Sequence, residues 1–155
     1  MSATEEGPAA RVRALLERIS AAAGVQASVE IHDGPDGIAA EYVGPELGLL
    51  IGRHGQTIDA IQHLAYRFAM HGDGERRPVL VDACGYRQER AVTLTAMGDQ
   101  AAEAAITERR TVSMEAMTAL ERKVIHEHLK GRRDVETYSE GQEPSRRLVV
   151  APLVD

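Results

Sequence analysis

The stretch 48-GLLIGRHGQTIDAIQHLAYRF-68 places three glycines within eight residues and then continues directly into a helical pattern. Gly52 and Gly55 let the chain turn tightly with no side chain between the backbone and a ligand. The first N–H groups of the following helix are unpaired and its dipole is positive there, so this loop favours a phosphate group. Arg53 and His54 add one full charge and further donors. The pattern predicts an amphipathic helix whose buried face carries Ile58, Ile61, Ala65 and Phe68.

Two other phosphate-binding motifs do not match the glycine spacing and the sequence context of this loop. A nucleotide P-loop requires Gly-x-x-x-x-Gly-Lys-Ser/Thr, but the stretch contains no lysine and its glycines are spaced differently. A dinucleotide fingerprint follows a strand, whereas this loop follows the helical-looking segment 46-ELGLL-50. On the loop alone, glycines that simply form a helix-to-helix turn stay an open interpretation.

The segments on either side of the loop predict further helices and strands. Upstream, a helix begins at Pro8 and ends before Gly24, and two strands at 25–31 and 38–43 flank the turn 33-DGPDG-37. Downstream, the elements are a strand at 78–83, a long helix from Tyr86 to about Arg109 that bends or ends at Gly98, a strand at 110–116, a helix at 119–130 with a Thr118–Glu121 capping box, and strands at 134–139 and 146–151.

The composition is that of an ordinary water-soluble protein. Apolar residues make up 43% of the 155 residues and charged residues 27%. No run approaches the roughly 18 apolar residues of a membrane span, and the N-terminus carries no readable signal, so we expect a cytoplasmic protein without a membrane partner. The single cysteine, Cys84, excludes an internal disulfide, and we expect it to be a small buried residue.

Charge is distributed unevenly along the chain. The net charge is −6, yet residues 109–147 contain 9 basic and 7 acidic residues. Anion binding in the first half must therefore rest on backbone geometry more than on a basic field. Aromatic residues are only 3%, so base stacking should be limited and the affinity for a polyanion should be sensitive to salt.

No arrangement of residues indicates catalysis, a cofactor or a metal. Ser/His/Asp and Cys/His combinations have no supporting motifs. His126 and His128 are two residues apart on a predicted helix and point about 160° away from each other, whereas zinc helices use a spacing of four. We therefore expect no enzyme, no cofactor and no metal site.

Arg122 and His126 lie one turn apart on the predicted helix 119–130, at the edge of its apolar face. At this spacing both side chains can contact one phosphate. The alternative is a solvated pair of edge residues, which the spacing alone favours.

The stretch 47-LGLLIGRHGQTIDAIQHL-64 resembles the core of a KH domain, whose signature is an Ile-Gly-x-x-Gly loop between two helices. The order of helix, two strands, helix pair and third strand over roughly 10–84 resembles the bacterial, type II arrangement. In that family the loop clamps the backbone of single-stranded nucleic acid, usually RNA, and an adjacent groove receives the bases. The resemblance implies phosphate contacts at Gly52, Arg53, His54 and Gly55.

The run 121-ERKVIH-126, followed by 138-YSEG-141 and 146-RRLVV-150, resembles the single-strand nucleic-acid-binding domain named after its Arg-xxx-His (R-three-H) motif. The resemblance covers roughly 88–153 and implies backbone contacts at Arg122 and His126. Basic residues around them would supply the surrounding field; these are Lys123, Lys130, Arg132, Arg133, Arg146 and Arg147.

A KH domain followed by this second domain is similar to the SpoIIIJ-associated protein family, also called Jag or KhpB. The resemblance implies an α+β protein with a type II KH domain at 1–85 and an Arg-xxx-His domain at 86–155 that includes a long connecting helix. It implies a bacterial regulator, post-transcriptional or of cell envelope and division, that binds single-stranded RNA, with single-stranded DNA as a further ligand. It also implies a second KH protein (KhpA) or another copy of the chain as partner. Many relatives carry a further N-terminal domain with a membrane-associated role, which we do not expect here. The alternative is a module that pairs with a KH protein and binds little RNA.

Overall fold

The computed structural model describes residues 7–72 and 74–153. The chain divides into two compact units, one ending at Arg87 and the other beginning at Gln88. Each unit contains a three-stranded sheet and a hydrophobic core of its own. Both units contain helices packed with a sheet that has antiparallel strand pairs, which confirms the predicted α+β class.

The first unit contains a helix, a hairpin, a short helix, a turn, a long helix and a final strand. Their bounds are α1 Pro8–Ala22, β1 Ser28–Gly34, β2 Gly37–Val43, α2 Gly48–Ile51, a 3-10 turn at Arg53–Gly55, α3 Gln56–Ala69 and β3 Val79–Ala83. The strands lie in the order β1-β2-β3, with β1 antiparallel and β3 parallel to β2. β3 is therefore an edge strand.

The core of the first unit holds α1 and α3 against each other and against the sheet. Tyr42 in β2 is fully buried, and its hydroxyl donates a hydrogen bond of 2.6 Å to the carbonyl oxygen of Leu16 in α1. Burial raises the pKa of Tyr42 to about 12, so the hydroxyl stays protonated as a donor. This packing holds α3 in place, and with it the loop that joins α2 to α3.

The second unit contains the remaining two helices and three strands. Their bounds are α4 Tyr86–Glu108, β4 Val112–Ala116, α5 Ala119–Leu129, β5 Val135–Glu140 and β6 Arg147–Pro152. The first two residues of α4 belong to the first unit. The central strand β6 pairs antiparallel with β4 on one side and with β5 on the other.

Two expectations about the helices of the second unit have mixed outcomes. α4 does not end at Gly98 but continues to Glu108. A Cβ at position 98 would lie 2.8 Å from Ile125 Cγ2, so the glycine permits close approach of α5. Thr118 caps α5 as predicted, accepting a hydrogen bond of 3.3 Å from the N–H of Glu121. The carboxylate of Glu121 does not complete a capping box, however, since it pairs with Arg90 Nε at 2.7 Å.

Three predictions for the first unit are wrong. β1 begins at Ser28 and extends to Gly34, because the hairpin needs only two turn residues. Phe68 is 46% exposed, and Ala69 takes the buried place in the last turn of α3. Cys84 is exposed because it follows β3 in a turn with φ of 45°, outside the sheet.

Candidate nucleic-acid interface

The loop between α2 and α3 has a backbone that depends on its glycines. Gly52 has φ of 73° and Gly55 has φ of 78°, in the left-handed region that favours glycine. A Cβ on Gly52 would lie 2.1 Å from Thr57 Oγ1, and one on Gly55 would lie 2.7 Å from Tyr86 Cε1. Each glycine is therefore required both by its torsion angle and by the space around it.

The loop leads into the start of α3, where the N–H of Gln56 donates to the carbonyl oxygen of Arg53. Gly55 is the residue before the helix, and no side chain caps the helix there. Arg53 is exposed and His54 is half-buried with φ of 54°, so Arg53 is the more accessible cation. This arrangement combines an exposed arginine with a helix start that can donate hydrogen bonds to an anion.

An arginine that sequence reasoning missed lies beside this loop. Arg87 donates from Nη1 to Asp59 Oδ1 at 2.6 Å and from Nη2 to Gln62 Oε1 at 3.1 Å, both on α3. Its Nε donates to the carbonyl oxygen of Val81 in β3 at 3.0 Å. The bonds to α3 join residues 28 and 25 positions apart, so no short sequence motif could have indicated them.

In the second unit, α5 and the strands β5 and β6 enclose a cleft of about 410 Å³, which we call the α5 cleft. The residues that line it come from three elements. They are Ala119, Arg122, Lys123 and His126 of α5, Thr137, Tyr138 and Ser139 of β5, Arg146 just before β6, and Leu148 within it. Four of the predicted contact residues, Arg122, Lys123, His126 and Arg146, are thus brought together.

Arg122 is not a solvated edge residue, since its side chain is only 8% exposed. It donates to the carbonyl oxygens of Met117 at 2.6 Å and Arg146 at 3.4 Å, and to Glu143 Oε1 at 2.6 Å. The side chain of Glu143 is 57% exposed, so its carboxylate is the one partner of Arg122 at the surface. A phosphate that reached Arg122 would meet this carboxylate first.

The buried face of α5 is rotated relative to the apolar pattern of its sequence. The apolar Leu120 is exposed, whereas the charged Glu121 and Arg122 are buried. Both charges are paired, Glu121 with Arg90 and Arg122 with Glu143, which makes their burial tolerable. A helical wheel that counts only apolar residues therefore misplaces this helix.

His126 and Lys123 present different chemistry to the α5 cleft. A hydrogen bond of 2.5 Å joins His126 Nδ1 to Thr137 Oγ1, which fixes the imidazole against β5. Lys123 is exposed and makes no ion pair with any residue that the structure describes. Arg146 donates to the carbonyl oxygens of Gly141 at 2.6 Å and Ser139 at 3.3 Å. Lys123 is thus the most accessible positive charge at this cleft.

The other predicted basic residues do not line the α5 cleft. Arg133 and Arg147 are exposed. Arg132 is held by Asp134, with hydrogen bonds of 2.8 and 2.6 Å, and by Glu103 at 3.0 Å. The bonds to Asp134 and Glu103 raise the pKa of Arg132, and the bond from Arg132 lowers the pKa of the Asp134 carboxyl. Arg132 therefore already has carboxylate partners within the unit.

Two further properties concern the described parts of the chain. No three His, Cys, Asp or Glu side chains there form a group that could hold a metal ion. Among the same residues, no helix combines the length and the apolar composition needed to cross a bilayer.

Comparison with known families matches each half of the chain to a separate domain. Residues 9–81 match the KH domain of KhpA/KhpB, and residues 92–152 match the R-three-H domain, which is named after its Arg-xxx-His motif. Neither is an enzyme family. The chain is thus a protein with a KH domain and an R-three-H domain, as the resemblances of 47–64 and of 121–126 with 138–141 and 146–150 implied.

Proteins named RNA-binding protein KhpB are similar to the chain over most of its length. The one from Lactiplantibacillus plantarum is 36% identical over 143 residues, covering 90% of this chain and 44% of the relative. The one from Bacillus subtilis is 29% identical over 146 residues, covering 93% and 70%. The one from Clostridium symbiosum is 32% identical over 127 residues, covering 82% and 57%. The chain is similar to these proteins over most of its own length, and it spans about half the length of the first and third of them.

Proposed function

We propose that this chain binds single-stranded RNA by contacting the phosphodiester backbone of the RNA. One contact site lies in each domain, at 1–85 and 86–155. The geometry of Gly52–Gly55 carries the proposal, because two left-handed glycines lead into an uncapped helix start beside an exposed arginine. That arrangement can seat a phosphodiester even in an acidic unit. The relatives' name, RNA-binding protein KhpB, supports RNA as the ligand.

The α5 cleft is the second site in this proposal. Lys123 is exposed at the cleft and His126 is fixed beside it, while Arg122 and Arg146 organise its floor and edge. Salt-dependent contacts to phosphate suit such a cluster better than base stacking does, because few aromatic side chains are present. The proposed contact residues are Gly52, Arg53, His54, Gly55, Arg122, Lys123, His126, Arg132, Arg133, Arg146 and Arg147.

A regulatory role follows from binding without catalysis. A protein that holds RNA by its backbone at two sites changes the fate of that RNA by covering it or by recruiting another factor. We propose a bacterial post-transcriptional regulator, with effects on cell envelope or division through the RNAs it holds.

Fluorescence anisotropy of a labelled single-stranded RNA of about 12 nucleotides tests the proposal. Wild type should bind, and Arg53→Asp/His54→Asp should lose most of the affinity because two negative charges repel the phosphate. The matched control is Arg18→Asp/His32→Asp, which makes the same substitutions at exposed positions of α1 and β1. Equal loss in both variants, or binding of neither RNA nor matched DNA by wild type, would contradict the proposal.

A second candidate function is pairing with a KH protein of the KhpA type or with another copy of this chain. Leu64 and Phe68 favour it, because they lie one turn apart on α3 and are 54% and 46% exposed. In Leu64→Asp/Phe68→Asp, loss of self-association or of KhpA pull-down with unchanged RNA affinity would support pairing. Unchanged association would remove α3 from consideration.

A further inference from the structure

We infer that Arg87 closes the base-reading edge of the first unit, so that this half of the chain holds RNA with little preference among bases. The inference rests on the proposed function and specifies which part of the RNA the first unit recognises. Arg87 lies beyond the region that matches the KH domain, which ends at residue 81.

The free edge of β3 is the part of the first unit best suited to read a base. β3 pairs only with β2, so half of its backbone groups point away from the sheet. In a strand, the N–H and C=O of one residue point to the same side. At Val81 they offer a donor beside an acceptor, and a base edge presents the complementary pair.

In this structure both groups of Val81 are already occupied. Its N–H donates to Gln62 Oε1 at 2.9 Å, and its carbonyl oxygen accepts from Arg87 Nε at 3.0 Å. The next outward-pointing N–H, that of Ala83, donates to Asp82 Oδ1 at 2.8 Å. The same oxygen accepts from the N–H of Arg87 at 3.3 Å, which positions the start of α4.

Arg87 is held firmly in this position by α3. Its planar guanidinium uses Nε, Nη1 and Nη2 for three acceptors, on Val81, Asp59 and Gln62. The bond of 2.6 Å to Asp59 joins two opposite charges, and bonds of this kind are stronger than those between neutral groups. A base would have to displace Arg87 and would gain only neutral hydrogen bonds in return.

The closed edge lies within reach of a nucleotide held at the loop. Asp59 and Gln62 follow Gly55 by one and two turns of α3, a distance of about 6 to 10 Å along the helix. A nucleotide whose phosphate lies at Gly52–Gly55 would therefore have its base within reach of the strand edge that Arg87 and Gln62 occupy. The first unit therefore binds the phosphate and forms no base-specific hydrogen bond at this edge.

The test removes the closure without changing net charge. In the full chain, Arg87→Ala/Asp59→Asn deletes one positive and one negative charge and exposes the carbonyl oxygen of Val81. The control, Arg13→Ala/Glu17→Gln, removes another arginine that forms an ion pair with a carboxylate at 3.7 Å and donates a hydrogen bond of 2.7 Å to a backbone carbonyl oxygen. Gln62→Ala frees the N–H of Val81 and removes one of the acceptors of Arg87, while the bonds from Arg87 to Val81 and Asp59 stay in place; it serves if the first variant does not fold. Affinities are measured for oligo(A), oligo(C) and oligo(U).

Wild type and the control should bind the three oligonucleotides with affinities within about twofold of one another, while the opened variant should prefer one base by about fivefold or more. An unchanged ratio in both Arg87→Ala/Asp59→Asn and Gln62→Ala would overturn the inference. It would also fail if wild type preferred one base strongly and lost that preference in Arg53→Asp/His54→Asp. Absence of RNA binding by wild type would instead overturn the proposed function, and this inference with it.

Discussion

The glycine loop of the first unit and the α5 cleft of the second are both proposed to contact phosphate. The loop depends on backbone geometry, whereas the cleft depends on side chains. Gly52 and Gly55 contribute backbone torsion angles and space, and their side chains contribute nothing. The cleft depends on side chains that also hold the unit together, above all Arg122. A site of the first kind can be changed with modest damage to its domain, whereas damage to the second should unfold part of it.

The largest effect is expected for Arg122→Ala. Loss of its guanidinium leaves the carbonyl oxygens of Met117 and Arg146 without their donor, which should destabilise the second unit by about 3 kcal/mol. Native-state hydrogen exchange of the β5 and β6 amides measures this free energy and separates it from that of the first unit. The control Arg133→Ala removes an exposed arginine and should change it by less than about 0.5 kcal/mol.

This prediction decides what a loss of RNA binding in Arg122→Ala would mean. The salt dependence of affinity should be reduced in the variant if Arg122 is a phosphate contact. If Arg122→Ala destabilises the second unit by less than about 1 kcal/mol and also reduces the salt slope, Arg122 contacts phosphate directly and contributes little to stability. That result would contradict the role expected from its buried position.

A smaller loss of stability is expected for Gly55→Ala in the first unit. Alanine is strained at φ of 78°, and its Cβ would lie 2.7 Å from the ring of Tyr86, so the cost should be about 2 kcal/mol. Gly48→Ala is the matched control, because Gly48 begins α2 with nothing within 4 Å of its Cβ position. Hydrogen exchange in α3 compares them, and equal stability of the two variants would show that the loop does not need this glycine.

For Lys123→Ala the expected effect is on binding and not on stability. Lys123 is exposed at the α5 cleft, so its removal should lower the slope of log affinity against log salt by about 1 without destabilising the second unit. Anisotropy titrations from about 50 to about 200 mM salt measure the slope. Lys130→Ala, which removes a lysine from outside the cleft, should change the slope less; the reverse order would place the RNA elsewhere on this unit.

The sequence predicted the order of helices and strands and both domain families, because these depend on local periodicity and on short motifs such as Ile51–Gly55. It did not predict the networks of Arg87 and Arg122, whose partners lie between 5 and 28 residues away. It also misplaced the buried face of α5, since Glu121 and Arg122 are buried as charges with partners. A short sequence motif therefore indicates the position of a site. The side chains that complete the site by contacts from distant parts of the chain can be identified only from the tertiary structure.

The smallest effect is expected at Arg132, which the sequence suggested as an RNA contact and which the structure pairs with Asp134. The bond from Arg132 lowers the pKa of the Asp134 carboxyl in the folded chain. A carboxyl group with a lower pKa when folded stabilises the protein fully above its unfolded pKa, and this contribution is lost as the pH falls through the folded pKa. Asp134→Asn should therefore lower the melting temperature slightly near neutral pH, and the difference from wild type should shrink as the pH falls below the usual pKa range of an aspartate.

Glu136→Gln, which neutralises an exposed carboxylate in the adjacent strand β5, is the control for the loss of one negative charge. If Arg132 is occupied by Asp134 and Glu103, Arg132→Ala should also reduce RNA affinity less than Lys123→Ala does. A larger reduction at Arg132 would mean that RNA phosphate displaces both carboxylates. In that case the basic side chains of the second unit would be as available to RNA as the backbone of the glycine loop, and the difference between the two sites would disappear.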